Sequence, residues 1–142
     1  MGKRRKILIP IIFVFIFFIA MFSGCYEIET FPVHTEPPEI SEMYKNIQLI
    51  GEVGVPFCKA TSHKFVYDTE SHENWEDYAF RRDSWADPND FRFHEVIVFC
   101  EVAVGVTYYF RAVAYCYDFK RPYEDYEEGF YQGGELTFIR PF

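Results

Sequence analysis

Apolar and polar positions alternate through most of the chain beyond residue 45, whereas its first quarter shows no alternation. Residues 7–22 form a continuous apolar run that includes Pro10, entered through Lys3, Arg4, Arg5 and Lys6 and left through Ser23, Gly24 and Cys25. The run is short for a hydrocarbon core that needs about 20 apolar residues, and its cationic entry and small-residue exit are the anatomy of a secretory signal. Residues 26–39 read YEIETFPVHTEPPE, where Pro32, Pro37 and Pro38 break any period and favour an extended, polyproline-like spacer. Beyond it, β-type runs recur at 46–53, 63–68, 76–82, 91–99, 106–116 and 135–140, separated by turn-rich or charged stretches. Short strands spaced in this way predict a sandwich or barrel. In the first run Ile47, Leu49, Gly51 and Val53 share one side, and in the fifth Tyr108, Phe110, Ala112 and Ala114 do, which leaves Arg111 facing outward. No stretch carries a sustained helical period, although residues 70–78 have room for a turn or two of helix, and there is no internal repeat.

Composition narrows the class. With 17 Phe and 11 Tyr in 142 residues the chain can fill a sizeable core, and bulky rings suit half-buried strands. Residues 1–24 are expected to leave as a signal peptide, residues 25–37 to form the tether, and residues 38–142 to fold as one domain. Removing the signal takes away four of the basic residues, so the mature part holds 10 Lys and Arg against 22 Asp and Glu, a net charge of −12. Such a body repels nucleic acid and anionic headgroups, leaving a cationic partner, a metal ion, a neutral glycan or simple solubility as the meaning of the charge.

Two stretches carry a resemblance. Phe22-Ser23-Gly24-Cys25 resembles the lipobox of prokaryotic lipoproteins, which implies a lipid on Cys25 and a domain held outside the cytoplasmic membrane, at its outer face. An uncleaved signal anchor is the competing reading and places the domain on the same side. The piece from Val102 to Ala114, VAVGVTYYFRAVA, resembles the sixth strand of a fibronectin type III domain of the prokaryotic surface-protein kind. The resemblance implies an all-β, antiparallel immunoglobulin-like β-sandwich of about seven strands. It also makes Val102 an apolar plug and Tyr108 the corner tyrosine, whose hydroxyl returns to backbone near the bend. That family often has Trp where Gly51 stands, so Trp75 or Trp85 is expected to fill the volume. The same topology implies that Cys58 and Cys116 share one end of the sandwich and form a disulfide, with Cys100 at the other end; three reduced thiols are the alternative.

Catalytic patterns are missing. The chain has no Gly-x-Ser-x-Gly, no His-Glu-x-x-His and no phosphate-cradling glycine loop. His34, His63, His72 and His94 are scattered; His63 and His72 flank the third strand, but isolated surface histidines are commoner than metal ligands. Asp83, Asp87, Asn89 and Asp90 offer hard oxygens, yet their spacing matches no known calcium loop, so a solvated turn is expected. No enzyme activity, metal or cofactor is therefore expected. The reading is a non-catalytic, envelope-anchored module that binds a protein or glycan; the alternatives are an accessory subunit of a membrane complex and, last, a small exported enzyme. Its expected contact surface is residues 117–132, YDFKRPYEDYEEGFYQ, too long for a plain hairpin. Tyr123, Tyr126, Glu127 and Phe130 are the expected contact set, on a loop tip presented opposite the spacer.

Overall fold

The computed structural model describes residues 32–54, 58–84, 86, 91–121 and 123–142. Eight strands follow one another: β1 (Val33–Ser41), β2 (Asn46–Val53), β3 (Lys59–Asp68), β4 (Phe80–Asp83), β5 (Arg92–Val98), β6 (Thr107–Tyr117), β7 (Gly129–Gln132) and β8 (Leu136–Ile139). Short 3-10 turns at Trp75–Asp77 and Phe99–Glu101 are the only helical elements among the described residues, none long or apolar enough to cross a membrane. All strand pairings are antiparallel. One sheet has the order β1-β2-β5; the other has the order β4-β3-β6-β7, with β8 pairing the first half of β6. The two sheets enclose a β-sandwich core.

The period-two reading of β2 and β6 describes the face that each strand buries. Ile47, Leu49 and Val53 of β2 meet Phe110, Ala112 and Ala114 of β6 in one cluster with Phe65, Phe93, Ile97 and Phe138, and all are almost fully buried. Gly51 lies between the sheets, and a Cβ there would stand 2.6 Å from the Phe93 ring and 2.7 Å from Ala112 Cβ. Phe93 therefore fills the volume expected of a tryptophan. Trp75 lies elsewhere, packed against Val66, Tyr78 and Val113 in a second, smaller cluster outside the main core; Trp85 lies outside the described residues.

Three expectations are corrected by the pairing. The sandwich begins inside the stretch read as spacer, because β1 starts at Val33 and pairs with β2 from Val33↔Val53 to Ser41↔Asn46. Pro37 and Pro38 are tolerated because β1 is an edge strand and both fall at the irregularity between Glu36 and Glu39, where no ladder donor is needed. The run at 76–82 becomes a strand only at Phe80, after the 3-10 turn. The last strand is longer than 135–140 and divided: β7 pairs Val113–Cys116, β8 pairs Thr107–Phe110, and Gly133-Gly134 joins them. At that join the Thr35 hydroxyl of β1 accepts a hydrogen bond from Ala112 N–H at 3.0 Å, and Gly133 N–H donates to Ala112 carbonyl at 2.8 Å. A Cβ on Gly133 would overlap Thr35, so this close approach requires glycine.

Candidate functional site

The register of β1 decides which end of the sandwich the chain enters. Pairing of Val33 with Val53 sets Pro32 beside Gly54, whose N–H donates to Pro32 carbonyl at 2.8 Å. The connection that leads to Cys58 starts at that same end, as does the loop that follows β6. Pro32 accordingly lines a cleft together with Tyr126 and Phe130. The loop therefore shares an end with the entering chain, not the opposite end as the sequence reading expects; antiparallel pairing obliges β1 to begin where β2 finishes.

The cleft has a volume of about 600 Å³ and opens to solvent between Trp75, Tyr126, Phe130, Tyr131 and Gln132, with Asn74 and Glu76 at its rim. Two of the four expected contact residues, Tyr126 and Phe130, line it, while Tyr123 and Glu127 do not. The rings belong to two groups because successive side chains of β7 point to opposite faces. Phe130 faces outward, 5.2 Å from Trp75 and 5.3 Å from Tyr115 between ring centroids. Tyr131 faces the sandwich end, where Phe119 and Tyr131 pack against the core and Tyr126 stacks on Phe119 at 5.6 Å. Tyr123 joins Tyr126 at 5.7 Å, and the Tyr131 hydroxyl donates to Glu127 carbonyl at 2.6 Å. Much of the loop thus caps the core, and Tyr126 and Phe130, about 40% and 43% exposed, are the rings it leaves to solvent.

Trp75 was missed as a site residue because its sequence context marks only a turn; its placement comes from a polar clamp built by distant residues. Gln132 accepts from Trp75 N–H at 2.7 Å and donates to Glu73 carbonyl at 2.7 Å. Below it, Glu135 accepts hydrogen bonds from the Ser71 hydroxyl at 2.6 Å, from His72 N–H at 3.2 Å and from the Tyr78 hydroxyl. Arg111 reaches out from β6 to the Tyr78 hydroxyl, His72 carbonyl and Gly133 carbonyl, each at 3.0 Å. Burial, aided by the hydrogen bond to Glu135 and opposed by Arg111, pushes the Tyr78 hydroxyl up to about 12. Burial raises Glu135, but its hydrogen bonds and the Arg111 charge outweigh that and hold its carboxyl below the usual range. Asp68 behaves likewise: burial raises it, while Ala79 N–H and His72, 3.1 Å away, bring it below the ordinary value. These groups include the parts of an acid–base site, but their hydrogen bonds fasten the 69–79 segment to the sheet.

Cations cover part of the aromatic surface. Lys64 Nζ sits 5.1 Å from the Trp75 ring and 4.7 Å from Phe130, and the Arg81 guanidinium is 5.1 Å from Trp75. Arg81 is itself fixed by donating to Glu76 carbonyl at 2.7 Å.

The remaining sequence candidates fall elsewhere. Cys58, directly before β3, and Cys116, on the neighbouring β6, are buried free thiols; the Cys58 thiol donates to Gly54 carbonyl at 4.0 Å and the Cys116 thiol to Ala114 carbonyl at 3.9 Å. Cys58 is the more acidic of the pair, because a thiolate there accepts the Cys116 S–H; the same contact, with burial, raises Cys116. Cys100 is exposed in the turn after β5, at the other end. Near it Tyr108 is buried, stacks on Phe138 at 5.2 Å and accepts a hydrogen bond from Ala103 N–H at 3.0 Å; Val102 is buried beside the bend. His63 packs in the core 4.7 Å from Phe93, and burial lowers its pKa, whereas His72 pairs with Asp68. No group of three or more His, Cys, Asp or Glu placed to hold a metal occurs among the described residues. Cys25, Asp87, Asn89 and Asp90 lie outside the described residues. Against known proteins, the chain matches no family model, no curated protein and no solved structure.

Proposed function

We propose that this chain is a non-catalytic binding module, held at the outer face of the cytoplasmic membrane by its N-terminal segment, and that the aromatic cleft is its recognition surface. The observation that carries the reading is the cleft itself. Its aromatic wall is partly open to water, yet Trp75 is fixed through Gln132 and the Glu135–Tyr78–Arg111 clamp. A rigid, partly exposed aromatic surface of this kind costs little entropy to use in binding. The lipobox-like Phe22 to Cys25 supports a lipid anchor on Cys25. The seven-strand character of the sandwich, counting β7 and β8 as one interrupted strand, and the hydroxyl of Tyr108 returning to Ala103 support a fibronectin type III-like relationship. The pairing of Cys116 with Ala60, two residues after Cys58, and the burial of both thiols support a Cys58–Cys116 disulfide once a disulfide carrier outside the cell takes up the two electrons.

Crosslinking in intact cells tests the reading. Capture of a partner is expected with the unaltered chain and is expected to disappear with Tyr126→Ser plus Phe130→Ser, with the melting temperature nearly unchanged. Capture that survives the double change sinks the cleft as the recognition surface. For the anchor, intact mass of the membrane-extracted protein should show a lipid on Cys25 and no residues 1–24, and Cys25→Ser should leave an uncut precursor.

A further inference from the structure

We infer that the cleft takes a neutral, hydroxyl-rich ring ligand: a pyranose unit of an uncharged glycan. The inference rests on the reading of the cleft as recognition surface and adds the class of ligand. Charge gives the first argument. Lys64 and Arg81 already lie over the Trp75 ring, and Lys64 also over Phe130, so a cationic ligand would meet two positive charges and rings whose attraction for cations is in use. Glu76 stands at the same rim, and Glu127 and Glu128 are exposed in the adjoining loop, so a polyanion meets repulsion as well. A mixed-sign rim favours a ligand without net charge.

Shape gives the second argument. The cleft's volume of about 600 Å³ lies within the range of roughly 300–1,000 Å³ usual for small-molecule sites. Trp75 and Phe130 pack on one another, tilted at 47° with centroids 5.2 Å apart, and together make an aromatic wall of the cleft. A pyranose presents C–H groups on its faces and hydroxyls around its edge, so rings meet the faces and polar side chains meet the edge.

The third argument is the polar complement. Asn74 occupies the N-cap position of the 3-10 turn, yet its side chain makes no capping hydrogen bond and lines the cleft, where an amide can both donate and accept. Gln132 spends its carbonyl on Trp75 N–H and one amide hydrogen on Glu73, which leaves its second amide hydrogen at the cleft wall. The Glu76 carboxylate adds an acceptor. Donors and acceptors of both kinds beside aromatic faces are what a set of sugar hydroxyls requires.

The test is isothermal calorimetry on the full chain in detergent, with short linear oligomers of glucose, mannose and galactose, their sulfated counterparts, and an oligoproline peptide. At least one neutral oligomer is expected to bind saturably at millimolar concentration or below. Asn74→Ala and Phe130→Ala are each expected to weaken that binding about tenfold or more, with unaltered melting temperature. Preference for the sulfated oligomers or for oligoproline, which also uses aromatic grooves, overturns the inference, and so does silence from every neutral oligomer. Crosslinking in cells separates the two levels: if capture depends on Tyr126 and Phe130 while no neutral oligomer binds, the recognition surface stands and the glycan falls. If capture ignores those residues, the recognition surface falls too.

Discussion

The two ends of the sandwich use the same residue types for opposite purposes. At the bend end, Tyr108 and Phe138 stack inside the core at an interplanar angle of 8°, and the Tyr108 hydroxyl is bound by Ala103 N–H. Arg140 closes that end by donating to Phe99 carbonyl at 2.8 Å and Val102 carbonyl at 3.0 Å. At the loop end, Tyr126 stacks on Phe119 and Phe130 packs against Trp75, but these rings keep part of their surface in water. The difference is where a ring finds its neighbours. Rings enclosed between both sheets stabilise the fold, and rings packed at its margin keep aromatic surface in water.

Substituting one phenylalanine at each end breaks or sharpens that contrast most strongly. Phe138→Ala opens a cavity between the sheets and is expected to cost about 3–5 kcal/mol, whereas Phe130→Ala should cost under about 1 kcal/mol and remove partner capture. Urea unfolding of the two variants measures both, and equal losses would mean that the loop end is as structural as the bend end.

The thiol pair tests whether the loop end is pinned covalently. Non-reducing peptide mapping of protein from the cell envelope is expected to join Cys58 to Cys116. Reduction is then expected to lower stability by about 4 kcal/mol less any strain, from loop-closure entropy. A bridge that includes Cys100 would contradict the fold, because that residue is exposed at the other end.

Smaller effects come from single hydroxyls. Tyr108→Phe removes the hydrogen bond to Ala103 and is expected to cost about 1–2 kcal/mol, whereas Tyr109→Phe, on the opposite face of β6, should change little. Matching losses in thermal unfolding would argue against the inward role of Tyr108.

The smallest effect is a pH dependence. Burial lowers the His63 pKa in the folded state, so the unfolded chain takes up a proton first as pH falls through about 6.5. Stability should decline below that pH until the lower folded pKa is passed. His63→Phe, which keeps a ring on Phe93, should flatten this decline between about pH 7 and 5. The depressed carboxyls of Asp68 and Glu135 act in the same direction only at lower pH, as acid begins to protonate them.

Much of the sandwich was legible in the residues because a half-buried strand must repeat every two positions. Asn46–Val53 and the inward set Tyr108, Phe110, Ala112 and Ala114 follow directly from that period. β1 was hidden by its prolines, since proline argues against a strand unless the strand is an edge with a bulge, and edges are a property of the sheet. Trp75 was hidden for a similar reason. A ring in a turn reads as filler, and its fixed position depends on Gln132, more than fifty positions away along the chain.

The sequence alone determined that the chain has an acidic, aromatic-rich body whose strands bury one face, because charge and periodicity are local properties. Tertiary structure alone decided that the entering chain and the aromatic loop share an end, that Phe93 and not a tryptophan fills the space over Gly51, and that Trp75, Tyr126 and Phe130 meet at one cleft. Each of these depends on strand register, and register is set when the two sheets pack together.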